Sequence, residues 1–174
     1  MGVVLLIKNP ELLRKRLEMK EREKEQQGVV AFSGLLLVAS FIVAGLDYRF
    51  GWSHISNTIV LIASIVLLVG YALYAEVLRE NVYLSRVIEV QEGQHVIDTG
   101  LYAFVRHPMY LAVTLLYLAI PIVLGSWWAL LVMSPCILLL AARIKNEEQV
   151  LHQGLPGYTE YTKRVRYRMI PWIW

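Results

Sequence analysis

The chain has 174 residues, room for one domain, and its apolar fraction of 57% exceeds that of a soluble globular domain. The excess sits in long uninterrupted runs, which places the protein in a bilayer. Net charge is only +3 with the basic residues clustered, so a nucleic-acid role has no support, and the single cysteine, Cys136, lies in an apolar run where it packs rather than pairs.

In chain order, "MGVVLLI" is apolar but far too short to span. The stretch "KNPELLRKRLEMKEREKEQQG" carries both signs of charge and a weak amphipathic pattern through Leu12, Leu13, Leu17 and Met19. It reads as a solvated helix on the membrane surface. Acids follow the basic N-terminus, which argues against a cleaved signal peptide. Four apolar segments then qualify as spans: residues 29–46, 55–78, 109–124 and 127–142. The last two are short for a hydrocarbon core of about 30 Å at about 1.5 Å per residue. Only Gly125 and Ser126 separate them, which predicts an antiparallel helical hairpin.

The charges orient the spans. Seven Lys/Arg precede residue 29, one lies in 47–54, none in the Gly125–Ser126 turn, three in 79–107, and six from Arg143 onward. Positive-inside bias puts both termini and segment 79–107 in the cytoplasm. The expected organisation is one domain, all-α and integral to the membrane, with four transmembrane helices. Its parts are a charged cytoplasmic or interfacial segment (1–28), two spans (29–78), a cytoplasmic segment (79–107), a C-terminal helical hairpin (108–142) and a cytoplasmic tail (143–174).

Several constellations fall at that one face. "YAFVRHPMY" puts Pro108 at a helix start, where its missing N–H costs nothing. Arg106 and His107 stand at the helix entrance, where the dipole is positive and first-turn amides are unpaired. That end suits a carboxylate or phosphate, or else the two side chains simply anchor to headgroups. In "RIKNEEQVL", Arg143 and Glu147 are four apart and share a helix face, with Glu148 turning away; an ordinary surface ion pair is the alternative. "EGQHVIDTGLYAFV" reads as a short extended piece at Val96 and Ile97, then a turn at Gly100. Tyr102 and Phe104 follow as interfacial aromatics. In "RVRYRMIPWIW", Arg164, Arg166 and Arg168 lead to Trp172 and Trp174, a basic and aromatic belt on the membrane. Glu76, late in the second span, either reaches the interface or lines a polar cavity. No HExxH, CxxC pair, P-loop or GxSxG appears, so no metal site is expected. The lack of a midplane carboxylate pair argues against a proton-coupled transporter.

Taken in order, "LRENVYLSRVIEVQEGQHVIDTGLYAFVRHPMY", an apolar hairpin with "GSWWALL" at its turn, "RIKNEEQVL", "YTEY" and "RVRYRMIPW" make a set that resembles the integral-membrane isoprenylcysteine carboxyl methyltransferase family. Its wider group includes phospholipid methyltransferases, and the match runs over residues 10–174. The resemblance implies S-adenosyl-L-methionine as cofactor, with S-adenosyl-L-homocysteine as product, in a cytoplasmic pocket roofed by the segment before the hairpin. By the same resemblance Gln94, His95, Val96, Ile97, Tyr102, His107, Pro108, Tyr110 and Glu147 bind the cofactor. Arg143 faces the methyl acceptor as the catalytic and substrate-binding arginine, and Arg106, the motif arginine, is read with it on the substrate side. This sequence departs from the family in having "LPGYTEY" where Phe-Gly is usual and "GLY" for Gly-Pro-Tyr. "VVLLI" has the look of the stump of an extra N-terminal helix that bacterial relatives carry.

A carboxylate acceptor needs no general base, so orientation and removal of water carry the catalysis, and an arginine suits that work. The expected partners are a lipidic or prenylated methyl acceptor and membrane lipids. An amine acceptor such as a lipid headgroup needs a base, for which Glu89, Glu92 and His95 are candidates. A nicotinamide-dependent membrane reductase and a non-enzymatic scaffold are the other readings.

Overall fold

The computed structural model describes residues 24–85 and 88–174. The apolar positions of the amphipathic stretch, Leu12, Leu13, Leu17 and Met19, and "VVLLI" therefore lie outside the described residues. Within them the chain is helical, with no strand. Helix α1 spans Lys24–Phe50 and α2 spans Asn57–Glu80; a 3-10 turn covers Gly100–Ala103. Then come α3 (Pro108–Val123), α4 (Trp127–Met133), α5 (Pro135–Gly154) and α6 (Tyr158–Arg164).

Local chemistry sets these limits. The Ser56 hydroxyl accepts from the Ile59 N–H and starts α2. Pro108 occupies the first turn of α3. Gly125, at φ +80°, takes a left-handed conformation that a side chain disfavours, and Ser126 then caps α4 by accepting from the Ala129 N–H at 3.0 Å. Pro135 has no N–H to continue α4, so the helix breaks at Ser134 and restarts as α5.

Among the described residues, three helical stretches are long and apolar enough to cross a membrane: Gly28–Phe50, Asn57–Glu80 and Trp127–Gly154. Their apolar faces are largely exposed, as Leu35, Leu61, Leu68 and Leu138 show. In water that exposure would be ruinous; against lipid it is the favoured arrangement. The chain is thus a multi-pass membrane protein. The expected third span is helical but shorter than a full crossing, with 16 residues in α3. Other limits shift too, and α2 runs two residues later at both ends than expected. Helix α1 continues through Asp47, which had read as a loop residue, and the last stretch runs to Gly154 rather than 142.

Packing places α2 against α3 and α1 against α4, with α3 in contact with α1, α4 and α5. Gly70 makes the α2–α3 approach close: a Cβ there would lie 2.9 Å from Cδ2 of Leu116. Small residues serve this purpose in bilayers, where helix association rests on close packing. Ser40 on α1 donates to the Ala129 carbonyl of α4 at 3.1 Å. Asp47 ties the same end together, accepting from the Ser53 N–H at 2.7 Å, from the Ser53 hydroxyl at 2.6 Å and from the Ser126 hydroxyl. This carboxylate is buried, and those three donors compensate its burial. Tyr48, Phe50, Trp52, Trp127 and Trp128 stand exposed around the clasp, as aromatic side chains do at a membrane interface. Cys136 is buried and unpaired.

Candidate functional site

At the end of the bundle away from Asp47, the chain builds a cavity with about 840 Å³ of empty space, open mouth included. It lies among the end of α2, segment 88–97, the entrance of α3, the polar half of α5, and α6.

The roof is held by side-chain bonds to the backbone. Gln91 donates through Nε2 to the Tyr83 carbonyl at 2.7 Å, and its N–H donates to Gln94 Oε1 at 2.8 Å. The Tyr83 hydroxyl shares a 2.8 Å hydrogen bond with His95 Nδ1. Below it, Asn81 Nδ2 donates to the Tyr102 hydroxyl at 2.8 Å. The Tyr161 hydroxyl donates to the Tyr102 carbonyl at 2.8 Å. Glu80 accepts from the Thr99 hydroxyl and the Leu101 N–H, at 2.7 and 3.2 Å. Gly100 sits at φ +49°, and a Cβ there would run into the Glu80 carboxylate. This glycine is required for close approach as well as for the turn.

The floor comes from α3 and α5. Tyr110 donates its hydroxyl to Glu147 Oε2 at 2.6 Å, and the same hydroxyl accepts from Arg143 Nε at 3.2 Å. A phenol thus joins the two residues that the i, i+4 spacing had placed on one face. Since Tyr110 opens α3 while Arg143 and Glu147 lie late in α5, the chain returns to the same end after the turn at Gly125. His107 packs over Tyr110 with ring centroids 5.8 Å apart, and its Nδ1 is 3.8 Å from Glu147 Oε1.

Behind the floor is a buried charge cluster. Arg106 donates from Nε to Glu148 Oε1 at 2.7 Å, with Nη2 at 2.7 Å from the same oxygen. Its Nη1 donates to the carbonyls of Val165 and Arg166, both at 2.8 Å. Four of the five guanidinium N–H groups are thereby committed. Arg168 donates from Nε to Glu148 Oε2 at 2.7 Å. One carboxylate thus faces two guanidiniums, and all three side chains gain charge-assisted hydrogen bonds that offset desolvation. The backbone reinforces the cluster: the N–H groups of Arg106 and His107 donate to the carbonyls of Tyr167 and Arg168 at 3.0 and 2.8 Å. Those amides serve the tail and are not left for an anion. The tail closes on itself through Trp174, whose carbonyl oxygen accepts from Arg168, Met169 and Ile170. The Arg168 guanidinium lies 5.4 Å from the Trp174 ring centroid.

Every expected site residue except one faces this cavity. Gln94, His95, Val96 and Ile97 line one side, with Tyr102 below them; His107, Tyr110, Arg143 and Glu147 line the other, with Arg106 at the edge. Pro108 is buried at the start of α3 and does not line the cavity. Of the candidate bases, Glu89 and His95 line it and Glu92 does not. Glu76 pairs instead with Arg79 on the exposed face of α2.

Sequence reasoning noted "LPGYTEY" only as a family motif and gave no site role to Leu155, Tyr158 and Tyr161, which line the cavity from α6 and the turn before it. It also missed Glu148, set aside because it turns away from Arg143; Arg106 and Arg168 lie on that other side. It took the tail for a membrane belt, whereas Met169 is in the core and Arg168 binds Glu148. A signal was present in the alternation itself: Val165 and Met169 face inward while Arg164 and Arg166 stay exposed, as in an extended strap with one face turned inward. Burial pushes the Tyr158 phenol well above its usual range, with the Glu148 and Glu147 carboxylates adding to the effect. Burial does the same at Tyr161, with Tyr102 contributing.

An apolar multi-pass helical bundle with a polar, charge-lined cavity at one end defines a class of membrane protein that handles a polar ligand beside the bilayer. The isoprenylcysteine carboxyl methyltransferase (ICMT) family model matches residues 58–153, from α2 to the end of α5. The chain belongs to that family and is a membrane methyltransferase. Methyltransferases of the family generally use S-adenosylmethionine and act on prenylated substrates at membranes. A search of curated proteins finds no match to the chain.

Proposed function

We propose that the cavity binds S-adenosylmethionine and that the protein methylates the carboxylate of an isoprenylcysteine-like or other lipidic acceptor. The observation that carries this reading is the Arg143–Tyr110–Glu147 arrangement. One hydroxyl holds a guanidinium and a carboxylate at the same point of the cavity floor. A cationic sulfonium and an anionic acceptor are the pair of charges such a floor would receive.

The residues present fit the cofactor. Glu147 offers a carboxylate to its positive charge, and Val96, Ile97, Leu151 and Leu155 offer apolar wall to its nucleoside. Tyr158 lines the cavity, and its buried hydroxyl has no hydrogen-bond partner among the described residues, as expected where a ligand supplies one. When bound, S-adenosylmethionine supplies an electrophilic methyl group that passes to the acceptor oxygen as the carbon–sulfur bond breaks, leaving a neutral thioether and moving no proton.

The chain's own work is then binding, orientation and exclusion of water. Glu147 holds the cationic end, with Gln94, His95, Val96, Ile97, Tyr102 and His107 around the rest. Arg143 turns the acceptor carboxylate toward the reacting centre with a charge that stays fixed at every working pH. Arg106, its donors largely spent on Glu148 and the tail, holds the wall together rather than gripping the acceptor. Pro108 fixes the start of α3. We place this site on the cytoplasmic side, with α3 and α4–α5 forming a hairpin that completes four spans, in keeping with the positive-inside distribution of Lys and Arg.

A lipid-amine acceptor is the second reading, favoured by Glu89 and His95 on the cavity lining, where either could take a proton. Methyl-transfer assays with labelled cofactor against prenylcysteines, lipid acids and lipid amines separate the two. A carboxylate acceptor, with a pKa of roughly 4, gives a rate nearly flat between about pH 6 and 9. A rate confined to amines and rising with pH over that window would overturn the carboxylate assignment.

A further inference from the structure

Buried hydroxyls in folded proteins are hydrogen-bonded, because an unpaired one has lost water without compensation. Tyr158 departs from this. It is 4% exposed, and its hydroxyl has no partner among the described residues. Packing and not the hydroxyl fixes the ring. Gly157, at φ +82°, starts α6, and the Tyr158 N–H donates to the Leu155 carbonyl at 3.2 Å. His152 meets the ring edge-on at 5.0 Å, and Tyr161 lies at 5.7 Å. Leu155 and Val165 are buried with it in one apolar cluster, with Val96 against it. A phenylalanine would satisfy every one of these contacts.

The neighbouring Tyr161 shows the ordinary case. It belongs to the same helix and the same cluster, and its hydroxyl is paired with the Tyr102 carbonyl. His107 Nε2, by contrast, faces Glu148 Oε1 at 3.4 Å. Tyr158 lines the cavity, so its unmet hydroxyl marks a ligand's position there.

We propose that Tyr158 is a cofactor-binding residue whose hydroxyl hydrogen-bonds a polar group of the bound S-adenosyl ligand. This rests on the reading of the cavity as the S-adenosylmethionine site. The hydroxyl keeps its proton throughout the physiological range, since burial and the two nearby carboxylates disfavour the phenolate. It can therefore donate as well as accept. The unpaired hydroxyl costs the empty protein stability and repays it on binding, a trade common at functional sites.

The test uses the full chain in detergent or lipid nanodiscs, with S-adenosylhomocysteine as probe. Calorimetric Kd and the thermal midpoint without ligand are measured for wild type, Tyr158→Phe and Tyr161→Phe. Tyr158→Phe is expected to weaken S-adenosylhomocysteine by about 5–10-fold, the range for one neutral hydrogen bond, while its unliganded midpoint stays level or rises. Tyr161→Phe lowers the unliganded midpoint, because it strips a buried carbonyl of its donor. A Tyr158→Phe protein that binds as tightly as wild type, or that loses stability as Tyr161→Phe does, overturns the proposal. If wild type takes up no S-adenosylhomocysteine, the cofactor reading falls and takes the proposal with it.

Discussion

Arg143 and Glu147 illustrate how far single residues can be assigned different work while sharing one hydroxyl. Tyr110 accepts from the first and donates to the second, so neither side chain sets its position alone. Arg143→Ala is expected to lower kcat/KM for the acceptor by roughly 10–100-fold, the value of one charge-assisted hydrogen bond, with S-adenosylhomocysteine affinity changed far less. Glu147→Ala is expected to do the reverse, weakening the cofactor by about tenfold on the same grounds. Steady-state kinetics beside calorimetry read the two effects separately. Loss of cofactor affinity in Arg143→Ala with acceptor turnover intact would invert the roles. Because both residues touch Tyr110, their effects are expected to be non-additive in the double variant.

At the scale of elements, the tail beyond α6 is part of the site's construction. It gives two backbone hydrogen bonds to residues 106 and 107, and Arg168 joins Arg106 on Glu148. The entrance of α3, the polar half of α5 and the tail are thus pinned to one carboxylate. Glu148→Ala leaves two guanidiniums without their anion, one of them buried, and is expected to cost about 3–5 kcal/mol. The milder Glu148→Gln keeps an acceptor for one arginine and is expected to lose less. Thermal midpoints of the two variants, with cofactor binding followed in parallel, check this. A midpoint for Glu148→Ala within a degree of wild type would show that the cluster does not hold the elements together. Glu148 makes no claim on the substrate; its part is to keep the His107 and Tyr110 wall in register with α5.

For the whole molecule, the two ends of the bundle differ in kind. One end closes on the buried Asp47 clasp beneath a ring of exposed aromatics; the other opens into the cavity amid arginines and glutamates. The topology proposed above, from the positive-inside distribution, has the cavity end in the cytoplasm. In a Cys136→Ser background, cysteine placed at the exposed Trp52 is expected to react with an impermeant thiol reagent added outside sealed cells. Cysteine placed at the exposed Thr159 is expected to react only after the membrane is opened. Labelling of both from the same side would require an even number of crossings between them, as when the short α3 does not span.

Residue order alone was enough for the membrane class and for the four apolar helical segments, though not for the break at Ser134. Run length, proline, glycine and cap residues act locally and leave their mark in the order of residues. The i, i+4 spacing put Arg143 and Glu147 on one face of α5, and the family resemblance added Gln94, His107 and Tyr110; the structure has all five lining the cavity. Only the tertiary structure decided which side of α5 carries the buried charge, because helical periodicity says that Glu148 turns from Arg143 but not what waits there. It alone decided that the tail folds inward to meet Arg106 and His107, since basic residues read alike beside a headgroup and beside a buried carboxylate. And it alone separated Tyr158 from Tyr161: the same side chain, three residues apart, is paired in one case and unpaired in the other according to where the hydroxyl points.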